Sequence, residues 1–303
     1  MKKIPLYIDT DMGLDDIIAI CMLAQSGMFD IRGVSAVNGV ATVSRGVKNA
    51  TRILTAIGIT CPIYVGANQT QQQSTRQFPK LDRQRANNLT LLDGISLPTR
   101  GNNQIRPLAD FVQGISRNPL PAILLAIGPL TNVARMLENS KVRKNISSLY
   151  IMGGAINCRG NVSPRWISEY NIRLDPKAAQ RVFKLPVSTV LVPMDATTQV
   201  PAVLKCPNNQ SKTITGTIIK TIIQNNASDF NYFYDPLVAA TLIDPSLVRN
   251  YKGTALTVQT SGPTVGKVMS ISTSDKQVKV VTSINTSRFY QLLIQMMKGG
   301  ELP

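Results

Sequence analysis

The hydrophobic residues of the chain fall into short blocks whose spacing alternates between strand-like and helix-like. Unbroken apolar runs predict buried strands, and apolar residues at three- and four-residue intervals predict amphipathic helices. Strands are expected at residues 6–8, 31–37, 63–66, 122–127, 149–152, 187–192, 254–258 and 278–281, and helices at 17–24, 43–57, from 130 onward, 175–183 and 288–297. This alternation predicts the α/β class, with a Rossmann-like, open and mostly parallel sheet flanked by helices.

Two polar segments interrupt the alternation. Residues 67–104 are rich in Gln, Asn and Arg, a composition that suits either a surface loop or a mobile flap over a binding site. Residues 206–226 are rich in Asn, Lys and Thr before a helical stretch, which suits an element at the rim of the fold. Neither segment is a low-complexity linker, so we expect one domain over residues 1–303.

The first predicted strand ends in a cluster of carboxylates. Asp9, Asp11, Asp15 and Asp16 fall within eight residues, and Gly13 allows a tight loop before the following helix. Such a loop, at the carboxyl end of a central strand, is where open α/β sheets bind ligands. Carboxylates held close together raise one another's pKa unless a positive charge compensates, and a hard divalent cation with oxygen ligands does this well. The alternative is that some of these residues only favour a helix N-terminus or cap a turn.

The amino-acid composition excludes several catalytic mechanisms and kinds of partner. The chain has no histidine, which excludes a Ser-His-Asp hydrolase, histidine metal ligands and a histidine general acid. Lysine and arginine number 33 against 17 acidic residues, a formal net charge of +16. This charge suits nonspecific attraction to nucleic acid, but no nucleic-acid motif accompanies it, so we interpret it as solvated surface and expect no specific nucleic-acid partner.

The same composition bears on the cellular compartment. The four cysteines lie far apart in sequence, which favours reduced thiols over a disulfide framework or a zinc site. No apolar run reaches the length of a transmembrane helix, and the apolar residues near the N-terminus give way at once to carboxylates, unlike a signal peptide. We therefore expect a cytoplasmic protein that does not bind membranes.

The carboxylate cluster also carries a family resemblance. Its pattern, Asp-x-Asp-x-Gly-x-Asp-Asp after an N-terminal apolar strand, resembles the opening of the nucleoside hydrolases of the inosine-uridine preferring type. Further segments resemble that family in the same order, at residues 128–132, 152–154, 160–164, 169–171, 175–176, 235–237 and 244–245. Because several ordered segments agree, the resemblance implies the nucleoside hydrolase fold and the hydrolysis of ribonucleosides to free base and ribose.

The resemblance also implies a set of functional residues. It assigns Ca²⁺ to Asp11, Asp16, the backbone carbonyl of Ile127 and Asp235, with Asp11 accepting the proton of the attacking water. It assigns ribose contacts to Asp15, Asn161, Glu169 and Asn171, and Asn38 would take the place of an asparagine that family members have nearby. Asp9 would support the loop without touching the ligand. A homodimer or homotetramer is also expected.

The leaving-group side departs from the commoner members of the family, which have a histidine directly before the last metal-ligand aspartate where this chain has Tyr234. Without a histidine acid, a purine leaving group would be helped by stacking on aromatic rings, for which Trp166 and Tyr234 are the candidates. For Tyr170 and Phe233, packing is the favoured interpretation. We therefore expect a purine preference. The alternative is a metal-bound ribose- or nucleoside-binding protein with weak or no turnover.

Overall fold

The computed structural model describes residues 2–70, 77–208, 210–226, 230–272 and 277–300. Within these residues, ten strands form one sheet in the order β4-β3-β2-β1-β5-β6-β7-β10-β8-β9. The strands are β1 (Ile4–Thr10), β2 (Phe29–Ala36), β3 (Ile63–Val65), β4 (Ile105–Pro107), β5 (Ala122–Ala126), β6 (Ile146–Met152), β7 (Thr189–Val192), β8 (Val248–Val258), β9 (Val268–Ile271) and β10 (Val278–Ile284). All neighbouring pairs from β4 to β10 are parallel, and β8 pairs antiparallel with both β10 and β9.

Helices cover both faces of the sheet. They are α1 (Leu14–Gln25), α2 (Val43–Ala56), α3 (Lys80–Asn88), α4 (Leu108–Ser116), α5 (Thr131–Met136), α6 (Ser140–Asn145), α7 (Tyr170–Leu174), α8 (Pro176–Lys184), α9 (Met194–Thr197), α10 (Ile214–Asn225), α11 (Tyr234–Ile243) and α12 (Thr286–Lys298), with short 3-10 helices at Thr90–Leu92 and Pro245–Leu247. None of the helices in the described residues is long and apolar enough to cross a membrane.

Strand β1 separates two hydrophobic cores. Leu6 and Ile8 are fully buried in the core formed with α1, α2, α10, α11 and α12. Tyr7, between them in sequence, packs into the opposite core with α4, α5 and α8. Because successive side chains of a strand point to opposite faces, one central strand supplies both cores. The α/β class and the mostly parallel open sheet that the sequence predicts are therefore confirmed.

The direction of strand order changes at β1. This strand lies between β2 and β5, so the chain builds the sheet outward on one side and then crosses to the other. In open α/β sheets the crevice at such a change, beyond the carboxyl ends of the strands, is the usual ligand site. The loop that follows β1 and the end of β5 both lie at this place.

The sequence-based expectation for residues 67–104 is wrong in one respect. The segment contains helix α3 and a 3-10 helix, although residues 71–76 lie outside the described part of the chain. Helix α3 is almost entirely polar, and Ala86 is its one buried residue, so it lacks the apolar periodicity that reveals a helix in sequence. Met194 and Asp195, shortly after the strand expected at residues 187–192, begin helix α9, and β8 begins at Val248, earlier than the strand expected at residues 254–258.

Candidate active site

The loop after β1 is held from beneath by Asp9. This side chain is fully buried, and one of its oxygens accepts hydrogen bonds from Ser35 Oγ and, at 2.8 Å, from Asn132 Nδ2. Asn132 in turn accepts the backbone N–H of Ala67 at 2.8 Å. Asp9 therefore ties the β1 loop to β2 and α5, which is the supporting position that the sequence predicts for it.

Side chains within the loop fix its turn. Thr10 Oγ1 donates to Asp16 and accepts the N–H of Met12 at 2.9 Å, while the other Asp16 oxygen accepts the N–H of Gly13 at 2.9 Å. Met12 has a positive φ of 53°, an uncommon conformation for a residue with a side chain. These hydrogen bonds hold the loop in that strained turn and set the direction of Asp15 and Asp16 in the first turn of α1.

Asp11 is fixed by the segment that follows β2. Its Oδ2 accepts the N–H of Val40 at 2.6 Å, and its backbone carbonyl accepts the N–H of Ala41 at 3.2 Å. A Cβ on Gly39 would overlap the Asp11 carboxylate, so only glycine allows this approach. The turn at residues 38–41 thus packs directly on Asp11.

Asp235 completes the acidic cluster from the other end of the chain. It lies in the first turn of α11, and carboxylate oxygens of Asp15, Asp16 and Asp235 all lie within 4.8 Å of one another. Burial, followed by the charges of Asp15 and Asp16, raises the pKa of Asp235 well above its ordinary value. The pKa of Asp15 is raised to about 7, again by burial first and by the charge of Asp16 second.

The cluster fits a cation. The pKa values of Asp11 and Asp16 are also raised, chiefly by burial, so each member would be stabilised by a nearby positive charge. Asp235 Oδ1 is buried and has no hydrogen-bond partner within the described structure. A buried carboxylate oxygen without a partner is costly. Oxygen donors of this kind are the ligands that hard divalent cations prefer.

Ile127 and the loop before α7 form the neighbouring wall. Ile127 directly follows β5, and its backbone N–H binds the carbonyl of Asp9 at 2.9 Å, which brings Ile127 to the β1 loop. Asn171 Nδ2 lies 3.4 Å from the carbonyl oxygen of Ile127 and 3.3 Å from that of Met152. Asn161 Oδ1 accepts the N–H of Tyr170 at 3.1 Å, which closes the loop on itself.

Glu169 is buried under this loop and is bound by backbone groups. One carboxylate oxygen accepts the N–H of Asn171 at 2.7 Å, and the other accepts those of Gly154 at 2.9 Å and Ile172 at 3.1 Å. The side chain is the N-cap of α7. Burial raises the pKa of Glu169, and these backbone donors oppose the rise.

These residues enclose a cavity of about 370 Å³. That volume lies within the usual range of small-molecule sites, roughly 300–1,000 Å³. Ten of the eleven residues that the sequence predicts for the site line it: Asp11, Asp15, Asp16, Ile127, Asn161, Trp166, Glu169, Asn171, Tyr234 and Asp235. The exception is Asn38, whose amide oxygen accepts a hydrogen bond from Arg83 at 2.7 Å. Among the described lining residues there is no lysine or arginine, so the net positive charge of the chain lies elsewhere.

Helix α3 and the two residues before it supply lining residues that the sequence-based prediction missed. Phe78, Pro79, Asp82 and Ala86 face the cavity, and Phe230 and Asn231 add to the rim. Phe78 stacks on Tyr170 with ring centroids 4.3 Å apart and an angle of 18° between the planes. An isolated aromatic residue in a polar segment was the one available signal for Phe78.

The candidate aromatic residues occupy different surroundings. Trp166 is 38% exposed, and the guanidinium of Arg159 lies 4.8 Å from its ring centroid. Tyr234 lines the cavity, whereas Phe233 is fully buried against Phe289. Tyr170, for which packing is the interpretation from sequence, both stacks on Phe78 and lines the cavity.

Comparison with known proteins assigns the family. The family described as inosine-uridine preferring nucleoside hydrolase matches residues 6–291. The chain belongs to this family. It is 29% identical to a probable ribonucleoside hydrolase of Dictyostelium discoideum, over 97% of this chain and 94% of that protein. It is 30% identical to the non-specific ribonucleoside hydrolase RihC of Escherichia fergusonii, over 65% of this chain and 63% of that protein.

Solved structures agree on the fold of this nucleoside hydrolase. A purine-preferring ribonucleoside hydrolase from Gardnerella vaginalis superposes with a TM-score of 0.82 at 21% identity, covering 97% of this chain and 98% of that one. An inosine-uridine preferring nucleoside hydrolase from Bacillus anthracis has a TM-score of 0.80 at 23% identity, covering 98% and 100% of the two chains. The enzyme class that the sequence predicts, a nucleoside hydrolase, is therefore confirmed.

Proposed function

We propose that this nucleoside hydrolase cleaves the N-glycosidic bond of purine ribonucleosides in preference to pyrimidine ones and depends on Ca²⁺. The reaction adds water across the bond between ribose and base, releasing the free base and ribose. Three things lower its barrier: an activated water, stabilisation of the positively charged sugar, and help for the departing base. We propose that the acidic cluster activates the water, that the loop before α7 contacts the ribose, and that aromatic residues lining the cavity assist the departing base.

The single observation that carries the metal proposal is the buried acidic cluster with its unpartnered oxygen. Asp15, Asp16 and Asp235 bring oxygens within 4.8 Å of one another, and Asp235 Oδ1 lacks a hydrogen-bond partner in the described structure. We propose that Asp11, Asp16, Asp235 and the carbonyl of Ile127 hold the ion. When bound, calcium would neutralise these charges and lower the pKa of a coordinated water.

Asp11 is the proposed general base. Its Oδ2 is engaged by the N–H of Val40, which leaves Oδ1 to accept a proton from the attacking water. Burial, followed by the charge of Asp16, raises the pKa of Asp11 in the metal-free fold, and a bound cation would oppose that rise and favour the carboxylate form that accepts a proton. Asp15 is the proposed partner of a ribose hydroxyl, because a carboxylate accepts hydrogen bonds and its position at the start of α1 borders the cavity.

The loop before α7 is the proposed second ribose contact. Asn161 and Asn171 carry amides that both donate and accept hydrogen bonds, which suits a polyol. Glu169 lines the cavity, but its oxygens are bound by three backbone N–H groups. We therefore propose that Glu169 acts mainly by holding Asn171 in place, with any contact to the sugar through its remaining lone pair.

The proposed purine preference rests on the aromatic residues that line the cavity. Phe78, Tyr170, Trp166 and Tyr234 line the cavity around the acidic cluster, and a stacked ring favours the larger purine surface. Asp82 adds a carboxylate on the α3 side, which would accept hydrogen bonds from N–H groups of the base. Because the sequence contains no histidine, we propose that stacking raises the proton affinity of the base and that solvent supplies the proton a histidine acid would otherwise donate.

The testing experiment is the release of reducing sugar from inosine, guanosine, adenosine, uridine, cytidine and p-nitrophenyl riboside, before and after calcium chelation. We expect purines to exceed pyrimidines, the activated riboside to exceed both, and chelation to abolish all activity until calcium is restored. Equal rates for uridine and the activated riboside would contradict the stacking proposal. Full activity after exhaustive chelation would contradict the calcium site.

The missing histidine also favours a second candidate, a metal-bound nucleoside-binding protein with little turnover. The same experiment separates the two. Calcium-dependent binding of inosine measured by calorimetry, without release of sugar from any riboside in the panel, would support the binding protein.

A further inference from the structure

Arg83 of helix α3 contacts the turn that holds Asp11. Its Nη1 donates to the carbonyl of Gly39 at 2.8 Å, and its Nη2 donates to Asn38 Oδ1 at 2.7 Å. One planar guanidinium therefore binds two consecutive residues of the turn, which a lysine ammonium would not reproduce with the same geometry.

The bound turn reaches Asp11 directly. The residue after Gly39 is Val40, whose N–H donates to Asp11 Oδ2 at 2.6 Å. Because a Cβ on Gly39 would overlap the same carboxylate, Gly39 and Asp11 are in close contact. A change in the position of Gly39 must therefore displace either the Val40 hydrogen bond or Asp11 itself. Burial lowers the pKa of Arg83, and the nearby charge of Asp11 opposes that lowering.

From this chain of contacts we infer that Arg83 is a positioning residue for Asp11. It acts through the Asn38–Gly39 turn and the Val40 N–H, and it touches neither substrate nor metal. This inference rests on the proposed function, because it concerns the residue that we propose as general base and calcium ligand. Arg83 also gives the amide oxygen of Asn38 a partner, and Asn38 is absent from the described residues that line the cavity.

Helix α3 offers two internal controls. Asn87, one helical turn after Arg83, binds the N–H of Thr42 at 3.0 Å and so holds the helix to the same segment without reaching the Asp11 turn. Arg85 carries the same charge two residues along the same helix. Loss of helix docking, loss of charge and loss of Asp11 positioning can therefore be separated by three matched substitutions.

The test compares Arg83→Met and Arg83→Lys with Arg85→Met and Asn87→Ala. For each protein, calcium affinity of the metal-free form is measured by calorimetry, and kcat and KM are measured for inosine and p-nitrophenyl riboside. Loss of a group that orients a metal ligand typically costs about 10–100-fold in affinity or activity. We expect a loss of that size in calcium affinity and in kcat for Arg83→Met, equal for the two substrates, with a smaller loss for Arg83→Lys.

Further outcomes decide between positioning and a general structural role. Positioning predicts that KM changes little, and that millimolar guanidinium restores kcat to an Arg83→Ala variant more than ethylammonium does. Wild-type calcium affinity and kcat in Arg83→Met would overturn the inference, as would an equal loss in Asn87→Ala or Arg85→Met. A thermal unfolding midpoint measured for each metal-free variant identifies any that fails to fold, and Arg83→Lys then carries the comparison.

The same measurements keep the two proposals distinct. Absence of hydrolysis by the unsubstituted protein would overturn the proposed function alone, and the calcium affinities of the variants would still decide the role of Arg83. Hydrolysis by the unsubstituted protein together with unchanged Arg83 variants would overturn only the positioning inference. An unsubstituted protein that binds no calcium would overturn both.

Discussion

Replacement of Glu169 by glutamine tests whether this buried carboxylate holds the ribose-facing loop or contacts the sugar. In the native structure its two oxygens accept three backbone N–H groups, two on one oxygen and one on the other. Glutamine keeps a single acceptor oxygen, which can take the two hydrogen bonds from Gly154 and Ile172. Its NH₂ group then faces the N–H of Asn171, and two donors meet in a buried place.

The expected loss of unfolding free energy follows from the number of backbone N–H groups left without an acceptor. One buried donor left without an acceptor costs about 1–3 kcal/mol. In domains of about 150–250 residues, 1 kcal/mol shifts the unfolding midpoint by roughly 2–4 °C, so this chain should lose a few degrees. Glu169→Ala should be worse, because all three N–H groups lose their acceptor and a cavity remains. Both substitutions should also lower the apparent affinity for ribosides, since Asn171 would no longer be fixed.

The assay is urea and thermal unfolding of the metal-free proteins, followed by KM measurements on inosine. Glu138→Gln provides the matched control, because Glu138 makes an exposed ion pair with Arg181 whose loss should cost at most about 1 kcal/mol. Unchanged stability of Glu169→Gln together with a large rise in KM would refute the reasoning. It would show that Glu169 binds the sugar directly and that the backbone hydrogen bonds contribute little.

Three further predictions concern the cation and the base. Asp235→Asn should abolish calcium binding in calorimetry while the protein stays folded, because it removes a charged ligand from an acidic cluster whose members repel. Burial raises the pKa of Asp15 from 3.8 to about 7, so the metal-free fold binds a proton that the unfolded chain releases, and its unfolding free energy should fall as pH rises from about 4 to 7. Saturating calcium should remove that decline in a denaturation series. Phe78→Ala should lower kcat/KM for inosine about 2–10-fold and leave p-nitrophenyl riboside nearly unchanged, because an aromatic contact contributes about 0.5–1.5 kcal/mol.

The sequence predicted the parts of the site whose residues lie close together along the chain. An apolar strand followed by closely spaced carboxylates is visible by inspection, and the structure places Asp11, Asp15 and Asp16 at the end of β1 as expected. The supporting role of Asp9 came from the family resemblance, and in the structure its carboxylate accepts hydrogen bonds from Ser35 and Asn132. In each case the strand period or the helix N-terminus fixes the direction of the side chain.

Helix α3 could not be predicted from such sequence patterns. In the described structure Arg83 donates to Asn38, Asn87 accepts from the N–H of Thr42, and the carbonyl of the buried Ala86 accepts from Asn49. These partners lie about forty positions earlier in the chain. Hydrophobic periodicity reveals helices that bury an apolar face, but it gives no information about helices that are held by polar hydrogen bonds. The same limit explains Asn38, whose residue type suits a sugar contact but whose partner is an arginine that only the folded chain brings near.

The distance from Asp15 and Asp16 to Asp235 depends on the packing of two helices that are buried on nearly every side. Helices α1 and α11 are both apolar along most of their length, and both present acidic residues in their first turn. Because the two N-termini meet at the same edge of the sheet, packing these helices forces their carboxylates together, and burial raises every pKa in the cluster. The fold therefore carries an electrostatic cost at its site that a bound cation would relieve. A ligand present at about 100 times its Kd stabilises a fold by about 2.7 kcal/mol. Calcium binding and the stabilisation that calcium provides should accordingly be lost together when one of the proposed ligands Asp11, Asp16 or Asp235 is neutralised, whereas the metal-free fold should lose none of its stability through charge.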